Sequence, residues 1–116
     1  MVCRYDLVGD PSTAVVRVTG RLDLLTAAEL RARVQQLVAE GWYRLVVDLS
    51  DVAYIDSSGL GALINSLRVA RHAGGDIRIA SAPEPIRNVL QVSMLDQVLT
   101  PYPTVEAALA EYVSAA

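Results

Sequence analysis

"DVAYIDSSGLGAL", residues 51 to 63, decides how this chain is read. The apolar run "YRLVVDLS" (43–50) precedes it, and Leu60, Leu63, Ile64 and Leu67 follow at helical spacing. The period therefore changes from extended to helical across Asp56, Ser57, Ser58 and Gly59. Asp, Ser and Gly are all favoured at such a junction, where a short side chain can accept a hydrogen bond from an unpaired first-turn amide. The spacing predicts a helix over 58–73, closed by Arg68, Arg71 and His72 ahead of Gly74 and Gly75. The same position suits a second use. A phosphoryl group on Ser57 would bring about −1.5 to −2 charges to a helix end that carries partial positive charge. The carboxylate of Asp56 opposes it, so the expected result is a new negative surface at a fixed point, without unfolding. Gly59 and Gly61 each cost about 1 kcal/mol inside a helix, which predicts the close approach of another surface, such as a docking partner. Spacing alone leaves an ordinary cap and a phosphoacceptor both open.

Outward from this junction the chain alternates. Residues 2–8 read as a strand, "GDPST" (9–13) as a turn and "AVVRVTG" (14–20) as a second strand, the two forming a hairpin. "TAAELRARVQQLVAEG" (26–41) reads as a helix, with Thr26 and Glu29 as a capping box, Leu30, Val34, Leu37 and Val38 on one face, and Gly41 as the stop. Residues 43–50 read as a central strand, with "VAYI" (52–55) resuming after a break. "DIRIA" (76–80) is the next strand and 83–92 a short helix. Residues 97–103 read as an extended piece, and 104–113 as a last helix capped by Thr104. This is an α/β pattern after an opening hairpin, with a mixed sheet of about four to five strands and about four helices. The strands linked through helices should run parallel, with right-handed crossovers.

With 116 residues the expectation is one domain over 1–116. Hydrophobic residues are 53% of the chain, with no Phe and one Trp, so the core must be aliphatic. Trp42 is expected to seal a helix end. A net charge of −3 argues against nucleic-acid binding. Cys3 and His72 are the only residues of their types, which excludes an internal disulfide and argues against zinc. No apolar run approaches the ~20 residues of a membrane span, and the N-terminus lacks a signal-peptide layout, so a cytoplasmic protein is expected. Ser57 has no histidine near it in sequence, against a serine hydrolase, and "SSGLGAL" lacks the lysine of a phosphate-binding loop. Asp48, Asp51 and Asp56 are accounted for by turns and caps. Neither an enzyme nor a cofactor is expected.

"VVDLSDVAYIDSSGLGAL" (46–63) resembles the signature of STAS domains, in particular the stand-alone bacterial anti-sigma factor antagonists. "VVRVTGRLDLLTAAELR" (15–31), residues 74–99 and "YPTVEAAL" (102–109) resemble the rest of the family pattern, so nearly the whole chain is covered. The resemblance implies the STAS fold and a partner-switching role. The unphosphorylated protein would bind an anti-sigma factor that is also a serine kinase of the ATPase-fold type, freeing a sigma factor. Phosphorylation of Ser57 would abolish the complex, and a serine phosphatase would reverse it. Asp23, in the "GRLD" turn, matches a position on the family's kinase-binding surface, near the start of the second helix with Thr26 close by. With Asp56, Ser57, Ser58, Gly59 and Leu60 these make the expected partner surface, and Ser58 would support the loop. Two positions depart from the family pattern: Arg21, often Glu, and Met94, where glycine is common. A regulatory module of a membrane transport system is the alternative that the resemblance leaves, and a monomer is the expected state.

Overall fold

The computed structural model describes residues 3–7 and 12–114. The expected opening hairpin is present. Strand β1 (Cys3–Leu7) pairs antiparallel with β2 (Thr13–Leu22), while most of the turn expected at 9–13 lies outside the described residues. From β2 onward each strand is followed by a helix: α1 (Leu24–Ala39), β3 (Arg44–Ile55), α2 (Ser57–His72), β4 (Asp76–Ala80), α3 (Glu84–Val92), β5 (Pro101–Tyr102) and α4 (Val105–Ser114). The sheet order is β1-β2-β3-β4-β5, with β2 to β5 parallel. The expected mixed sheet is therefore five-stranded among the described residues.

Because the parallel strands advance in one direction, right-handed crossovers put α1, α2 and α3 on the same face. There Val16, Val18, Leu22, Val47 and Ile79 pack against Leu30 and Leu37 of α1, Leu63 and Leu67 of α2 and Leu90 of α3. Alternation sends Val15, Val46 and Ala80 to the opposite face, where α4 covers them with Ala108 and Tyr112. The core is aliphatic as composition required, each large side chain contributing about 1.5–3 kcal/mol on burial. Trp42 packs against the core just past α1, as expected.

Three local expectations are corrected. Thr26 is not the first cap: α1 starts at Leu24, Asp23 is the N-cap, and Thr26 is the third helical residue of a capping box with Asp23. The break before Val52 is absent. Strand β3 continues through it and runs two residues longer than β2 between the pairs Thr13–Arg44 and Leu22–Ile55, the register slipping at Arg17/Thr19 and at Gly20/Arg21. The piece expected to be extended over 97–103 is a 3-10 turn at Leu95–Gln97 followed by extended structure at Pro101–Tyr102 alone. Thr104 does cap α4, its hydroxyl accepting from the Ala107 amide at 3.0 Å.

Candidate functional site

Strands β2 and β3 end side by side, Leu22 opposite Ile55, and each turns directly into a helix. The residues after that pair, Asp23 and Asp56, are the two N-caps and share one backbone conformation. Their φ and ψ are −114° and −164° at Asp23, and −116° and −172° at Asp56. Parallel neighbours followed by helices on the same face thus bring two helix N-termini to one edge of the molecule. The nearness of Asp23 to the start of the second helix, which the family resemblance implied, follows from this geometry.

Each cap is built locally. The Asp56 carboxylate accepts from the Gly59 amide at 3.0 Å, and the Asp56 amide donates to the Leu22 carbonyl at 3.3 Å. The Asp23 carboxylate accepts from the Thr26 amide at 3.4 Å, while the Asp23 amide donates to the Thr26 hydroxyl at 2.7 Å. That hydroxyl lies 2.6 Å from the Arg21 carbonyl, which it can reach as donor. The Thr26 amide is the main reason the Asp23 carboxyl is held below the usual carboxylate value. Partial burial opposes this, and the Thr26 hydroxyl, the Leu25 amide and the Arg21 charge add to it.

Within this frame the four residues 57–60 differ sharply. Ser57, the first residue of α2, is exposed, and Ser58 is half-buried. Gly59 is buried, and a Cβ there would overlap the Leu22 carbonyl oxygen and crowd the Leu22 and Ile55 side chains. The close approach expected at this glycine is therefore made by the chain itself. Nothing lies within 4 Å of a Cβ placed on the exposed Gly61. Leu60 is half-buried against the core. His72 is the last residue of α2, about 22 Å along the helix from Ser57 at 1.5 Å per residue. A hydroxyl and imidazole so far apart cannot form a catalytic pair. Among the described residues no group of three or more His, Cys, Asp or Glu could hold a metal ion, and no helix is long and apolar enough to cross a membrane.

Three apolar side chains at this edge were not singled out from sequence. Leu24 and Leu25 are 68% and 82% exposed, and Tyr54 is 38% exposed. Leu25 lies off the buried stripe of Ala27, Leu30, Val34 and Leu37, which becomes legible only once α1 is known to start at Leu24. A shallow cleft of about 470 Å³ opens here, lined by Arg21, Asp23, Leu25, Thr26 and Glu29. Large exposed apolar side chains beside a small hydroxyl and two acidic caps form a surface suited to another protein.

Comparison with known proteins shows the family and the fold. The family model described as "Mlab, STAS domain" matches residues 6–101. A Thermotoga neapolitana protein, named as a candidate anti-sigma factor antagonist, is 33% identical over 76 residues, covering 66% of this chain and 67% of that protein. The anti-sigma-B factor antagonist of Bacillus subtilis is 26% identical over 99 residues, 85% of this chain and 90% of its own. The Bacillus cell fate determinant SpoIIAA, solved unphosphorylated and phosphorylated, superposes with TM-scores of 0.83 and 0.74 at 21% identity. These superpositions cover 97% and 96% of this chain, and 97% and 99% of the respective SpoIIAA chains. At that identity the likeness shows the shared fold.

Proposed function

The chain belongs to the STAS-domain family, and we propose that within it this protein is an anti-sigma factor antagonist switched by phosphorylation of Ser57. Unphosphorylated, it binds an anti-sigma factor that is also a serine kinase of the ATPase-fold type, and so frees a sigma factor. Phosphate on Ser57 ends the complex, and a serine phosphatase restores it. The protein acts by binding and catalyses nothing itself. The names of its relatives in Thermotoga and Bacillus support the partner class.

One observation carries the assignment of the acceptor: Ser57 is exposed at the first position of α2, whereas Ser58 beside it is half-buried and Gly59 is buried. A kinase must reach the hydroxyl oxygen, and of the two serines Ser57 offers the greater access. Asp23, Thr26, Asp56, Ser58 and Leu60 shape the partner surface, with Gly59 setting how closely α2 meets Leu22. The exposed side chains of Leu24, Leu25 and Tyr54 extend it.

The switch follows from electrostatics. At the helix N-terminus a phosphoserine is tolerated by the fold, since unpaired amides and the helix dipole favour an anion. In a complex fitted around a neutral hydroxyl the same dianion must be desolvated near Asp23 and Asp56. Every 1.4 kcal/mol lost is a tenfold loss in affinity, so a few kcal/mol suffice.

The reading is tested by incubating purified variants with the kinase and ATP. Ser57→Ala should bind and take no phosphate, Ser57→Asp should bind poorly, and Ser58→Ala should still be phosphorylated. Phosphate lost in Ser58→Ala and kept in Ser57→Ala would place the acceptor one residue later.

A further inference from the structure

The edge around Ser57 is acidic apart from one residue. Across 20–29 and 50–63 the charged side chains are Asp23, Glu29, Asp51 and Asp56 against a single cation, Arg21. Strand pairing sets Arg21 opposite Tyr54, three residues before Ser57. Its guanidinium carbon lies 4.0 Å from the centroid of the Tyr54 ring, and its Nε lies 3.8 Å from the Asp23 carboxylate. The side chain is nonetheless 62% exposed. The guanidinium itself is thus held between Tyr54 and Asp23, while part of the side chain's surface faces outward.

A guanidinium steadied on an aromatic face loses less freedom on binding than a loose one, and its planar fork matches a carboxylate. We propose, resting on the reading of Ser57 as the face for an anti-sigma factor kinase, that Arg21 selects among such kinases by pairing with a carboxylate on the partner. Asp23 already has Arg21 beside it, so a partner complementary to this edge presents its cation to Asp56. Opposite Arg21 the same sign would be repelled in a contact stripped of water. The fitting partner must therefore change sign at this point, and a kinase that carries a base there is rejected. Arg21 is a specificity determinant and takes no part in phosphate transfer.

The test uses the full chain and, as probe, the purified ATPase-fold kinase that phosphorylates Ser57. Affinity is measured calorimetrically for the wild type, Arg21→Glu and Arg21→Lys, with thermal melts as a check on folding. Arg21→Glu should weaken binding about a hundredfold with an unchanged melt, and Arg21→Lys should fall between. Reversing the facing acid of the kinase, Asp or Glu to Arg, should restore binding to Arg21→Glu and weaken it to the wild type. Binding by Arg21→Glu within about twofold of wild type, with Ser57 still phosphorylated, would overturn the role of Arg21 and leave the partner reading standing. So would a loss that no charge reversal on the kinase restores. If no such kinase binds the wild type or modifies Ser57, both fall together.

Discussion

A Cβ on Gly59 would overlap the carbonyl oxygen of Leu22, the same oxygen that accepts the Asp56 amide. The start of α2 is thus seated directly on the end of β2, and the seat admits glycine alone. Gly59→Ala should destabilise the protein by about 2–3 kcal/mol through overpacking. Gly61→Ala, two residues on in open space, should stabilise it by about 0.5–1 kcal/mol through helix propensity. Urea melts of the two variants check the pair, and equal effects would contradict the geometry.

Met94 supplies a second backbone test. It sits at φ +62°, in the left-handed region, and is exposed. The residue has little packing to lose, and a left-handed non-glycine residue costs about 1–2 kcal/mol. Part of that gain is offset by the extra freedom of glycine in the unfolded chain. Met94→Gly should raise stability by about 0.5 kcal/mol in denaturant melts, while Met94→Ala should not.

On the opposite face of the sheet, Tyr112 fastens α4. Its hydroxyl lies 2.7 Å from the Leu45 carbonyl and 2.8 Å from the Asp76 carbonyl, and can donate to one of them at a time. Burial, and after it the charge of Asp76, push the phenol above its ordinary value of 10. A raised pKa favours the neutral form in the folded state. Its contribution is therefore complete below about pH 10 and is lost as pH rises beyond that. Tyr112→Phe should cost about 1–2 kcal/mol at neutral pH and flatten the fall in stability above pH 10. Melts from pH 7 to pH 11 read both.

Asp23 gives the converse case on the acid side. Its pKa is lowered in the fold, so the cap contributes fully above the ordinary carboxylate value of 3.8 and weakens as pH falls through the folded value. Asp23→Ala should lower stability near neutrality through the lost cap and lose part of the acid-side slope. A variant as stable as the wild type at pH 7 would mean that the capping box does not hold the start of α1.

The sequence carried the element order because its signals were local. Glycine 74 and 75 and the alternation in "DIRIA" located β4, and the change of period at Asp56 located α2. It misplaced the start of α1 because a capping pattern three residues too late looked sufficient on its own. Thr26 with Glu29 fits a capping box by pattern, yet Asp23 with Thr26 forms one, and only the end of β2 at Leu22 decides between them. The unbroken β3 was hidden for a similar reason: Asp51 suggested a break, yet it pairs with Thr19 of the neighbouring strand, and the register slips lie on either side of that pair. At the site, Asp56 and Ser57 stood out as local signals at the change of period, whereas Asp23 entered only through the resemblance to STAS domains. Leu24, Leu25 and Tyr54 were not legible, since a leucine or tyrosine is exposed only by where its element ends. The tight seat of Gly59 against Leu22 depends on a contact between residues far apart in sequence.

The switch itself is tested most directly by mass. The protein is recovered from its native cells, its intact mass and phosphopeptides are measured, and the proteins bound to each form are identified. A single phosphate on Ser57, with an ATPase-fold serine kinase bound only to the unmodified form, is the expected result. No phosphate under any growth condition, together with a membrane-transport subunit bound to the chain, would contradict it and leave Asp56 and Ser57 as an ordinary helix start.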